Sequence, residues 1–191
     1  MPITPRGGRG TRRIAGARLG CVRLFVAVRP NETVLDAVAG LARPERPGVR
    51  WTTRPQWHVT LRFLGEVEDP GPVAVALAAT PLEACTAVVG PRVTVLGRST
   101  VVVPVAGLDA LAAGVARATA TVGAPPEARA FRGHLTLARV RRGPARDLAG
   151  EALEVRFPVD DVRLVRSHLG PGGSRYEDVV VRRLDPPAPS A

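Results

Sequence analysis

Apolar and polar positions along the chain alternate between the two-residue period of strands and the three-to-four-residue period of helices. From Arg23 the run RLFVAV is apolar and rich in β-branched residues, and Pro30 ends it, so it predicts a strand. Asn31 then stands at a helix cap, ahead of Val34, Leu35, Val38 and Leu41 at helical spacing. The Pro- and Arg-rich stretch from Arg43 to Pro55 reads as a loop, WHVTLRFLGEV as a buried strand, and Asp69 with Pro70 opens an Ala-rich helix reaching Ala79. Val93 to Leu96 and Thr100 to Val105 follow as strands, giving the first half the order β-α-β-α-β-β.

The second half starts over, with helical spacing of Leu108, Leu111, Val115 and Thr119 between Leu108 and Val122, then AFRGHLTLARVR as a strand. Residues 144–152 predict a short helix, and Val155 to Phe157, Val159 to Ser167 and Arg175 to Arg182 predict strands. Adjacent strands joined by short turns favour mixed or antiparallel sheets over a doubly wound parallel one, hence an α+β fold. Residues 1–20 hold five arginines, four glycines before Ala17 and no apolar period, which predicts a disordered basic arm. Residues 21–185 are expected to form one two-lobed domain, and 186–191 a loose tail.

Composition adds a charge. The 27 basic residues outnumber 17 acidic ones, giving a net charge of +10, and every basic residue is an arginine. Such a field attracts polyanions, so nucleic acid is the first partner to consider. The two cysteines, Cys21 and Cys85, form no CxxC motif or disulfide framework and read as thiols of a reducing compartment. Arg12-Arg13 resembles the start of an export signal, but Arg18 and Arg23 interrupt the apolar stretch behind it, and no run reaches the ~18 apolar residues of a membrane span. A cytoplasmic location and no membrane partner are expected.

The chemistry is carried by one internal repeat. His58-Val59-Thr60-Leu61 and His134-Leu135-Thr136-Leu137 lie 76 residues apart, one in each half of the chain. For this composition a given histidine is followed by apolar-Thr-Leu by chance in about three cases per thousand, so two such matches argue against accident. On a strand, His58 and Thr60 share one face, as do His134 and Thr136. One such pair could merely satisfy backbone groups in a sheet; two related pairs facing each other would form an acid/base set, one imidazole neutral and one charged near neutral pH. In-line attack on a phosphate ester needs such groups on opposite sides of phosphorus, and threonine hydroxyls can hold its non-bridging oxygens. A zinc site lacks ligands: no carboxylate or thiol falls close to either motif on its own face, Glu66 lying eight residues beyond His58 and Asp147 thirteen beyond His134. His168 lies outside the repeat and reads as a surface or structural residue.

With these residues in place, the chain resembles the two-histidine phosphoesterase superfamily, and within it the RNA 2′,3′-cyclic phosphodiesterases, also called 2′-5′ RNA ligase-like proteins. The likeness runs from Arg23 to Val181 through RLFVAV, Trp51, HVTLRFLGEV, FRGHLTLARV and VRLVRSHLGPGGSRYEDV. It implies a two-lobed, pseudo-symmetric α+β fold with a central cleft and flanking helices. It further implies His58 and His134 as the catalytic pair, Thr60, Thr136 and Arg139 at the phosphate, and Phe25 and Phe131 around the nucleoside. Simple alternation puts Arg139, three residues past Thr136, on the opposite strand face unless the strand bends. Gly133 stands where the family often has proline, and the strand from Thr100 to Val105 lacks an aromatic often present there. The implied reaction opens 2′,3′-cyclic phosphate ends of RNA to 2′-phosphates without metal or cofactor, in a monomer, with 2′-5′ joining as the reverse. His58 is cast as acid and His134 as base, on motifs too alike to separate. The rival reading is an RNA-end-binding module that uses the cleft without turnover; it leaves two imidazoles unexplained, since arginine holds phosphate with less dependence on pH.

Overall fold

The computed structural model describes residues 21–170 and 173–187. The expectations for the arm at 1–20 and for most of the tail at 186–191 fall outside this range. Ten strands and three helices follow in the order β1 (Val22–Val28), α1 (Glu32–Ala39), β2 (Val49–Trp51), β3 (Val59–Val67), α2 (Gly71–Ala79), β4 (Cys85–Val89), β5 (Thr94–Leu96), β6 (Thr100–Ala106), α3 (Asp109–Ala118), β7 (His134–Val140), β8 (Val155–Val159), β9 (Asp161–Gly170) and β10 (Gly173–Arg183). Short 3₁₀ turns occupy Arg54–Gln56 and Ala145–Leu148, the second replacing the helix expected at 144–152. Among the described residues no helix is long and apolar enough to cross a membrane.

The main sheet runs β10-β9-β1-β3-β7-β6-β4-β8, with β2 added to β7 and β5 to β6, and every strand pairing is antiparallel. Reading outward from the centre, β3 begins a lobe of four strands and β7 one of six, counting β2 and β5. The lobes are not the two halves of the sequence, because the C-terminal hairpin β9-β10 pairs with β1 and completes the first lobe. Helices cross the seam as well. The helix that follows β1, α1, lies beside β8, and α3, which follows β6, packs on β3, so each covers the lobe opposite to the strand before it.

This crossing produces one continuous core. Leu24, Val26 and Val28 from β1, Val34 and Val38 from α1, Leu111 and Val115 from α3, and Val101 and Val103 from β6 belong to a single buried cluster. Burying a Val or Leu side chain contributes ~1.5–3 kcal/mol, so these alternating positions specify which face of the sheet is covered. The Asn31 side chain accepts the Val34 amide at 3.1 Å, capping α1 where the sequence predicts it.

β3 and β7 touch through one residue pair, Val59 opposite Leu135, both buried. Extending that register by one residue puts His58 opposite Thr136 and Thr60 opposite His134. All four project away from the core, on the bare face of the sheet.

Candidate active site

Both motif strands carry the same irregularity at the same place. On β3, Val26 pairs with Arg62 and Ala27 with Thr60, leaving Leu61 as an extra residue. On β7, Val101 pairs with Ala138 and Val102 with Thr136, leaving Leu137 extra. Each β-bulge sends two consecutive residues inward, Leu61 with Arg62 and Leu137 with Ala138, and resets the alternation. The residue three beyond each threonine therefore returns to the bare face: Phe63 in the first motif and Arg139 in the second. This is the bend that Arg139 needed.

A cleft of about 390 Å³ opens on that face. It brings together His58, Thr60, His134, Thr136, Arg139 and Phe25 of the residues expected from the sequence, but not Phe131, which lines a separate depression. Arg23, Arg50, Thr52, Gln56, Phe63 and Tyr176 are further lining residues that the sequence reading missed. Arg50 and Thr52 escaped because β2 is three residues long and sits in a segment read as loop. Tyr176 had a usable signal: it is the chain's one tyrosine, and alternation with Ser174 sets both on one face of β10. The lining includes three arginines and no carboxylate.

The histidines are held alike. His58 donates its Nδ1–H to the Gln56 carbonyl and His134 its Nδ1–H to the Arg132 carbonyl, each at 2.8 Å and each two residues upstream. A carbonyl can only accept, so both rings carry the proton on Nδ1 and keep Nε2 for the cleft. The Gln56 carbonyl is itself fixed: Arg54 pairs with Glu32 and Asp36 of α1, and the Gln56 side-chain Nε2 donates to the Ser174 carbonyl at 2.8 Å. Gly133, next to His134, lies where a Cβ would come within 2.2 Å of the Val105 carbonyl oxygen, so the close passage of β6 requires glycine there.

Surroundings differ where bonding does not. His58 packs against both Phe25 and Tyr176, with ring centroids 4.8 Å away in each case, and those two rings meet each other edge-on at 5.3 Å. Burial pushes its pKa down from 6.5 to about 4, against the pull of the Gln56 hydrogen bond, and the charges of Arg29 and His134 lower it further. Asp178 works the other way. Burial would push the Asp178 carboxyl up, but hydrogen bonds from Arg29 and Arg163, both at 2.7 Å, outweigh that and hold it below the usual range. At the second motif, Arg139 donates to the Thr100 hydroxyl at 3.0 Å. Arg23 stacks on Phe63, 4.8 Å from the ring centre, at the mouth of the cleft. His168 is exposed, bonds Glu177 at 3.0 Å and stays outside the cleft. No group of three His, Cys, Asp or Glu side chains gathers at metal-binding range among the described residues.

Two mirrored histidine-threonine pairs, set at the seam of a curled antiparallel sheet and faced by arginines, define a two-histidine phosphoesterase. The sequence matches the LigT-like phosphoesterase family over residues 26–86 and 102–176, and the chain belongs to that family, whose activity is on phosphodiesters. Among solved structures, TT0787 of Thermus thermophilus is 28% identical, with a TM-score of 0.70 over 85% of this chain and 97% of that one. Escherichia coli LigT complexed with 3′-AMP is 23% identical, with a TM-score of 0.65 over 86% and 98%, a likeness of fold. No curated protein matches the sequence.

Proposed function

We propose that the protein hydrolyses 2′,3′-cyclic phosphate ends of RNA to 2′-phosphates, by metal-independent acid/base catalysis with His58 and His134. The observation that carries this reading is the repeated lock of Nδ1 on a main-chain carbonyl, which leaves two Nε2 atoms for one cleft. Thr60, Thr136 and Arg139 supply donors for the non-bridging oxygens, whose charge must be held as phosphorus becomes five-coordinate. Phe25 and Tyr176 offer apolar surface to the nucleoside. Escherichia coli LigT has been solved with 3′-AMP, with ATP and with phosphate, which supports a nucleotide in this cleft. A lining of arginines without carboxylate or thiol suits a phosphate more than a metal ion.

In this mechanism one imidazole takes a proton from water as it attacks phosphorus, and the other gives one to the departing ribose 3′-oxygen. With adenosine 2′,3′-cyclic phosphate, chromatography should show adenosine 2′-phosphate as product at a rate unchanged by EDTA. His58→Ala and His134→Ala should each lower turnover by about 10²- to 10⁴-fold. Loss of activity in EDTA with recovery on adding zinc would overturn the metal-free mechanism, and absence of turnover would favour the RNA-end-binding reading.

A further inference from the structure

The two histidines are aimed by segments that are anchored in different ways. Ahead of His134, the Val105 amide of β6 donates to the Gly133 carbonyl at 2.8 Å, so the main chain itself holds the Arg132 carbonyl in place. Ahead of His58, the main-chain hydrogen bonds donated by Gln56 and Trp57 both close within the 3₁₀ turn, and side chains must tie that turn to the rest of the fold. Arg54 and Gln56 carry two of the ties. The third comes from Arg29, just past β1, which donates to the Pro55 carbonyl at 3.1 Å and to the Asp178 carboxylate at 2.7 Å. We propose that Asp178 is a positioning residue for His58, acting through Arg29 to hold the turn whose Gln56 carbonyl fixes the ring. The inference rests on the reading of His58 as one of the acid/base pair.

Strand pairing puts Asp178 on the face where it is needed. Asp178 of β10 stands opposite Val165 of β9, and Val165 opposite Phe25 of β1, so the carboxylate shares the bare face with the cleft and lies in one row with a ring that packs on His58. In the next row Arg163 stands opposite Ala27, and Ala27 opposite Thr60. Arg163 closes the other side of the carboxylate, donating to its second oxygen at 2.7 Å and to Asp161 at 3.2 Å.

A carboxylate with one guanidinium on each oxygen has little freedom to turn, and its charge-assisted bonds are the strong kind. Arg29 and Asp178 are both half-buried, so solvent screens this pair less than one on the open surface. With one terminal nitrogen on Asp178 and the other on Pro55, the rigid Arg29 fork carries the position of β10 to the turn. Accuracy is what such a path supplies, since proton transfer is steeply sensitive to where the ring lies.

The test uses the full chain, with turnover of adenosine 2′,3′-cyclic phosphate as one readout and the histidine tautomers, seen by long-range ¹H–¹⁵N NMR at pH 7, as a second that needs no turnover. Arg29→Met keeps the length of the side chain and removes both ties. It should lower kcat about tenfold with KM little changed, and it should give His58 a share of the Nε2–H tautomer while His134 keeps its own pattern. Asp178→Ala should follow in both readouts, and the double variant should lose no more than Arg29→Met alone, as expected of residues on one path. Should the alanine variant not fold, the isosteric Asp178→Asn should move both readouts the same way by less. Arg163→Gln takes the other guanidinium from the same carboxylate but leaves the path to Pro55 whole, so kcat and tautomer should stay near native. Losses from Arg163→Gln as large as those from Asp178→Ala would reduce the network to a support of the β9-β10 hairpin, and a native kcat and tautomer in Arg29→Met would overturn the proposal. Absence of turnover in the unaltered protein would overturn the cleft reading instead, with the tautomers still deciding what positions the ring.

Discussion

His58 and His134 make the same backbone hydrogen bond, yet only His58 is packed against two aromatic rings. Its pKa, about 4, means that about one molecule in a thousand carries the imidazolium at pH 7 in the empty cleft. The acid role assigned to it from sequence therefore belongs to the complex, where a phosphate anion beside the ring stabilises the charged form. NMR should show His58 titrating near pH 4 in the free protein and at least a unit higher with adenosine 2′-phosphate bound; no movement at saturation would leave it only the part of base. The same depression acts on stability. The unfolded chain takes up the proton first as pH falls, so the stability carried by neutral His58 is present above pH 6.5 and is lost on the way down to about 4. His58→Gln should flatten that part of the unfolding profile.

At the scale of the elements, the paired bulges decide which side chains meet the substrate. The second bulge is braced from β2: the Thr52 amide donates to the Leu137 carbonyl at 2.8 Å, its hydroxyl lies 2.7 Å from the Thr136 carbonyl, and the Trp57 indole donates to that hydroxyl at 3.0 Å. Thr52→Val removes the hydroxyl and leaves buried partners unmatched, which should cost ~1–3 kcal/mol in urea unfolding, while Thr52→Ser should stay close to the native protein. A Thr52→Val protein of native stability would show that the brace carries nothing. The strands holding the HxT motifs and the Asn31 cap were readable because period and capping chemistry are local. The bulges were not, since Leu137 and Ala138 are both apolar and an inserted residue leaves no mark in the pattern. The β4 strand, CTAVV, passed unread beside an Ala-rich helix, and the return of β9-β10 to the first lobe depends on pairing far along the chain.

For the molecule as a whole, the excess of arginine becomes functional only where the fold gathers it. Arg23, Arg50 and Arg139 come from three strands, β1, β2 and β7, to one cleft, and none of them faces a carboxylate there. Oligonucleotides with a cyclic phosphate end should therefore be preferred to mononucleotides at low salt, and the preference should shrink as salt rises. Replacing Arg23 or Arg50 by alanine should reduce the slope of log kcat/KM against log salt by about one each for an oligonucleotide that contacts them. A slope unaffected by either change would mean that the RNA runs elsewhere, and deletion of residues 1–20 would then show whether the arm supplies the charge.

Fastening both rings through Nδ1 also fixes how the protein returns to its starting state. In the proposed hydrolysis one imidazole ends a turnover with a proton it lacked and the other without the one it held, so product leaves behind a pair in the inverted state. Restoring it requires moving one proton from ring to ring. Neither can pass it backward, because each Nδ1 faces a main-chain carbonyl that has no proton to exchange. The reset runs through the two Nε2 atoms and the water that refills the cleft, which couples readiness for the next substrate to departure of the last product.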